Sequence, residues 1–127
     1  MLELQNSITR KNIKNLMTLF YERAICDKEL GPFFIHELGD DIASEDWKEH
    51  IELLADFWLA KLLGEKTYKG DLSGAHIRVP HIKKESFMKW IELFSASADE
   101  VYVSDISDRF KEKGLLFSEQ FMRDLNI

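Results

Sequence analysis

The chain reads as an all-α protein, and three observations predict it. Four long stretches carry apolar residues at intervals of three and four, the helical spacing. Alternating polar and apolar runs, the mark of strands, are almost absent. Nine Phe and three Trp against only two Pro describe an aromatic core with few chain breaks.

The first helix is expected from about Thr9 to Cys26, with Ile13, Leu16, Met17, Phe20, Tyr21 and Ala24 on one apolar stripe. Leu30-Gly31-Pro32-Phe33-Phe34 marks a turn and then a short helix or corner, whose two Phe rings must be buried. Gly39-Asp40-Asp41 reads as a loop. Ser44 is the natural N-cap of the next helix, which carries Trp47, Ile51, Leu54, Trp58 and Leu62 as its stripe. His50 and Phe57 fall at the edge of that stripe, and Leu63-Gly64 ends it. Residues 64–82 hold three of the six glycines and one of the two prolines, a connector of a length that is uncommon in a compact domain and often functional. Helix returns from about Lys84 to Val103, with Phe87, Trp90, Ile91, Phe94, Val101 and Tyr102 turned inward. Ser104-Asp105 is expected to cap a last helix carrying Ile106, Phe110, Phe117, Phe121 and Leu125.

Bulk properties narrow the function. At 127 residues the chain makes one domain, residues 1–127, large enough for a real core. The net charge of -6 argues against nucleic acid or an anionic membrane as partner, because both call for clustered basic residues. A single cysteine, Cys26, excludes an internal disulfide and any Cys-x-x-Cys-His haem attachment, and it fits a reducing cytoplasm. The first residues lack the basic and apolar regions of a signal peptide, and no apolar run approaches the length of a membrane span. The expected compartment is the cytoplasm.

His76 is the candidate centre. It lies in the connector Gly70-Asp71-Leu72-Ser73-Gly74-Ala75-His76-Ile77-Arg78-Val79-Pro80-His81, where Pro80 holds Val79 extended. A connector histidine is ordinarily a solvated loop residue. Neutral imidazole is also a common iron ligand, given a hydrogen bond that orients its other nitrogen. Three polar tips fall on apolar helix faces: Tyr21, His50 and Trp90. Each alone is ordinarily a core or boundary residue. Together, a connector histidine preceded by a helix with an inward His and followed by one with an inward Trp suits a buried iron porphyrin.

The residues resemble the truncated haemoglobins, and among them the third group. The resemblance runs along nearly the whole chain. It is carried by Phe20-Tyr21-Glu22, by Asp27-Lys28-Glu29-Leu30-Gly31-Pro32-Phe33-Phe34, by Trp47-Lys48-Glu49-His50 and by Asp56-Phe57-Trp58. Leu62-Leu63-Gly64-Glu65, His76-x-x-x-Pro80 and Trp90-Ile91-Glu92-Leu93-Phe94 continue it in order. It implies a shortened globin fold, a two-over-two helical sandwich around haem. It further implies that His76 is the proximal iron ligand and that the cofactor is non-covalent haem b. Tyr21 matches the tyrosine whose hydroxyl reaches the bound ligand, His50 the distal histidine, and Trp90 the tryptophan closing the distal pocket. Phe34 matches the aromatic packed on the porphyrin, and Leu54 and Phe57 fall where the family lines the haem face. Arg78, on the connector, is grouped with them as a cofactor contact. The chain departs from the family pattern after Pro80, with His81-Ile82 in place of an apolar pair. The spacing to Pro80 and to the following helix favours His76 over His81 as the ligand.

The implied function is binding of dioxygen, nitric oxide or other small ligands in a polar distal pocket. Several donors would hold oxygen too tightly for delivery, which favours chemistry on the ligand or its handling. The chain has no flavin or nicotinamide fold, so nitric oxide dioxygenase-like or peroxidase-like turnover needs an external reductase. The rival readings are a non-haem metal module using some of His36, His50, His76 and His81, and a cofactor-free helical interaction or sensor domain. No His-x-x-x-His or Glu-x-x-His pair on an apolar face supports the metal module.

Overall fold

The computed structural model describes residues 3–64 and 83–127. Among these it contains five helices: α1 (Arg10–Ala24), α2 (Gly31–Leu38), α3 (Glu45–Leu63), α4 (Lys84–Val101) and α5 (Ser104–Leu125). Their only β pairing among the described residues is an isolated bridge between Gln5 and Tyr102.

Local chemistry explains most of the boundaries. Thr9 opens α1 through a capping box: its hydroxyl accepts from the Asn12 N–H (3.1 Å), and the Asn12 side chain accepts from the Thr9 N–H (2.9 Å). The turn after α1 is folded by Asp27, whose carboxylate accepts from the N–H groups of Glu29 and Leu30. Pro32 sits in the first turn of α2, where its missing N–H costs nothing. Gly31 is required there by space: a Cβ would stand 2.5 Å from the Ile25 carbonyl oxygen. Ser44 caps α3 by accepting from the Trp47 N–H, with Glu45 and Asp46 in the first turn favouring the helix dipole. Gly64 is its C-cap.

The α4–α5 junction differs from the expectation. Helix α4 stops at Val101, and Val103, not Ser104, is the N-cap of α5, with no side-chain cap hydrogen bond. The cause is Gln5. Its N–H donates to the Val101 carbonyl (2.8 Å) and its carbonyl accepts from the Val103 N–H (3.0 Å). Tyr102 is thereby held extended, and the helix restarts at Ser104, which is exposed. A contact from nearly a hundred residues away overrides the local cap signal.

Helix α1 packs against α3 and α4, and α4 lies along α5. The core between them is aromatic: Phe20, Trp47, Phe94, Tyr102 and Phe110 are almost completely buried. A polar pair enters it with its needs met. The Tyr102 hydroxyl donates to the Asn12 side-chain oxygen (2.7 Å), and the Asn12 amide donates to the Ser7 carbonyl (2.9 Å). On the surface, Arg10 pairs with Glu52 and Asp56 across α1 and α3, and Arg23 pairs with Glu100 across α1 and α4. These exposed pairs orient the helices more than they stabilise them. No described helix is long and apolar enough to cross a membrane.

Candidate functional site

Tyr21 lies on the buried face of α1, and its ring is 4 % exposed. Its hydroxyl meets Nε2 of His50 on α3 at 3.1 Å. Burial pushes the phenol well above its ordinary range, so the hydroxyl keeps its proton at any physiological pH. The pair is set in an aromatic cage. Phe20, Phe34 and Trp47 pack on the Tyr21 ring with centroids 4.8, 5.2 and 5.0 Å away. Trp47 also meets the His50 imidazole edge to face, 5.7 Å away at 88°.

Helix α3 supplies an apolar wall beside these polar tips. His50, Leu54 and Phe57 follow one another at spacings of four and three, so they share a face. Leu54 and Phe57 are buried, and His50 is half-buried. Phe57 continues into Trp58 and Phe117, with Lys61 lying over the Phe57 and Phe117 rings. Phe34 reaches the same region from α2, half-buried against the Tyr21 and Trp47 rings.

Trp90 joins less directly. Phe20 packs against both Tyr21 and Trp90, with centroids 4.8 and 5.9 Å away, and so links the two. The Trp90 indole is half-buried and stacks on Phe94, 5.0 Å away and 5° from parallel. Phe94 in turn stacks on Trp58 (5.2 Å, 11°). Tyr21, His50, Phe34, Leu54, Phe57 and Trp90 are thus connected through shared ring contacts and one helix face. His76, Arg78 and His81 lie outside the described residues.

Trp47 belongs to this cluster, although sequence reasoning gave it no site role beyond the apolar stripe of α3 and the motif ending at His50. It is fully buried, and its indole N–H donates to the Gly39 carbonyl (2.9 Å). Its position three residues before His50 was the available signal, since such residues share a helix face.

Among the described residues no three His, Cys, Asp or Glu side chains gather as a metal site. What they bring together is a phenol and an imidazole in hydrogen bond, caged by Phe20, Phe34 and Trp47, with the buried Leu54 and Phe57 on the same face of α3 as His50.

The chain is 33% identical over 119 residues to the group 3 truncated hemoglobin ctb of Campylobacter jejuni, an alignment covering 94% of this chain and 92% of that one. The chain belongs to the group III truncated haemoglobins. The crystal structure of the group III truncated hemoglobin from Campylobacter jejuni superposes with a TM-score of 0.89 at 32% identity, covering 97% of this chain and 95% of that one. No protein-family model matches. The all-α shortened globin fold expected from the sequence is therefore the fold of this group III chain, and membership makes it a globin-type haem protein. The family implies a haem cofactor and small gaseous ligands such as oxygen.

Proposed function

We propose that this group III truncated haemoglobin holds haem b without covalent links through His76, and that it performs chemistry on small ligands or handles them, rather than delivering oxygen. The observation that carries the reading is the buried Tyr21 hydroxyl, 3.1 Å from His50 Nε2 beside the apolar wall of α3. When bound, the haem supplies reversible coordination of dioxygen, nitric oxide or peroxide.

The chain's own residues control that ligand. The Tyr21 hydroxyl has one proton and two lone pairs, and His50 Nε2 either donates or accepts. With the proton on Nε2, His50 donates to Tyr21, and the tyrosine proton is free for a ligand. With Nε2 bare, Tyr21 donates to His50 and is withdrawn from the ligand. The His50 tautomer thus sets whether the phenol is available. In a dry pocket each donated bond to a charge-bearing ligand contributes roughly 1.5–3 kcal/mol, about tenfold or more in residence time. Trp90 is the proposed second donor and Arg78 a proposed cofactor contact. Turnover draws electrons from an external reductase, and the proposed compartment is the cytoplasm.

The test begins with the visible absorption spectrum of the purified, haem-supplemented protein. A Soret band with one-to-one binding supports the reading, and its absence sinks it. Oxygen release then decides between handling and delivery. Slow release with rapid reaction of the oxygenated protein with nitric oxide, or of the ferric protein with peroxide, supports ligand chemistry. Fast release with neither reaction quicker than free haem overturns it.

A further inference from the structure

We infer that Trp47 is a positioning residue which couples the α2–α3 corner to the Tyr21–His50 pair. The inference rests on the haem-pocket reading and extends it to residues outside the ligand's reach. Trp47 is tied at one end and in contact with both partners at the other. Its indole N–H donates to the carbonyl of Gly39, the C-cap of α2. Its ring lies against Tyr21 (5.0 Å) and stands edge to face with His50 (5.7 Å). It also touches Phe34 at 6.1 Å, the α2 aromatic on the same cage.

The tether fixes more than packing. An indole in an apolar cage can slide or tip among positions of similar contact, because dispersion is not directional. A single N–H donor to a fixed carbonyl removes that freedom. Gly39 fixes the carbonyl in turn: its backbone sits at φ 84° and ψ 177°, a region open essentially to glycine alone. A Cβ there would meet nothing within 4 Å, so Gly39 is demanded by its backbone angles rather than by space. The chain of cause runs from Gly39 to the Trp47 ring, and from that ring to the orientation of His50 and Tyr21. A change of corner conformation would therefore change how the hydrogen-bond proton is shared.

Two variants test this, each with readouts that loss of stability alone would not move. Trp47→Phe keeps a ring and loses the tether. Gly39→Ala leaves Trp47 intact and strains the carbonyl that holds it. The first readout is the His50 ring 15N spectrum of the protein as purified, which reports tautomer and hydrogen bonding. The second is the C–O stretching pattern and ligand release rate of the carbon monoxide complex of the haem-supplemented protein. Both variants are expected to shift the His50 resonances, redistribute the C–O bands and change release by about threefold or more, the scale of part of one hydrogen bond. Phe110→Leu is the control. That residue is equally buried and contacts Trp58, Phe94 and Tyr102, so it should lower the melting temperature and leave both spectra unchanged. If the His50 resonances and the C–O bands stay at their wild-type positions in Gly39→Ala and in folded Trp47→Phe, the inference is wrong. Should Trp47→Phe not fold, Gly39→Ala decides alone. A protein that never acquires a Soret band sinks the haem reading, and the 15N readout still judges the coupling.

Discussion

Replacing Tyr21 with Phe separates the hydroxyl from the ring that carries it. The ring contacts with Phe20, Phe34 and Trp47 survive, and the 3.1 Å hydrogen bond to His50 is lost. His50 is half-buried, so water can reach part of it, and the stability cost should be that of one ordinary hydrogen bond, about 0.5–1.5 kcal/mol. For a chain of this length that is a fall in Tm of about 2–6 °C. The ligand effect should be larger. A phenol donating to a charge-bearing ligand contributes roughly 1.5–3 kcal/mol, so oxygen release should change by about tenfold or more. A faster release marks a lost donor; a slower one means Tyr21 was holding His50 or Trp90 away. The assay is stopped-flow release with the resonance Raman iron–ligand stretch, on protein whose haem content and melting curve are measured in parallel. An unchanged release rate and an unchanged stretch in a fully haem-loaded variant would refute the reasoning.

Three further outcomes are expected. His76→Ala should lose haem, or leave it exchangeable and partly restored by added imidazole, while His81→Ala keeps a normal five-coordinate ferrous spectrum; the reverse pattern would move the iron ligand to His81. Gly31→Ala forces a methyl to within 2.5 Å of the Ile25 carbonyl oxygen and should destabilise by about 1–3 kcal/mol. A melting temperature within a degree of wild type, measured by circular dichroism, would show that the α1–α2 turn yields freely. Stability should also fall in acid. Lys14 holds the Glu52 carboxyl below its usual range, Lys111 and then Ser107 do so for Asp99, and Arg23 does so for Glu100. Lowered values mean a contribution present above the ordinary carboxylate range, lost as the pH falls through the lowered ones. All three groups are about half exposed, so each contributes less than about 1 kcal/mol, and salt should reduce the effect. A flat melting temperature between pH 6 and pH 3 would contradict it.

Local chemistry alone settled the helices and most of their ends. Thr9, Ser44 and Gly64 act within a few residues, so their signals are written in the chain as spacing and residue type. The apolar stripe of α3 placed His50, Leu54 and Phe57 on one face for the same reason. The motif order also carried the family, since matched residues recur with compatible separations along the chain. Contacts between distant residues were decided only by tertiary structure. Gln5 ends α4 and displaces the cap of α5 from Ser104 to Val103, which no local pattern around 104 reveals. The tie of Trp47 to the Gly39 carbonyl, the 3.1 Å approach of Tyr21 to His50 and the linkage of Trp90 to them through Phe20 depend on how α1, α3 and α4 cross. Helix periodicity states which face a residue occupies; the angle and depth at which two faces meet are set by side chains packing across the interface.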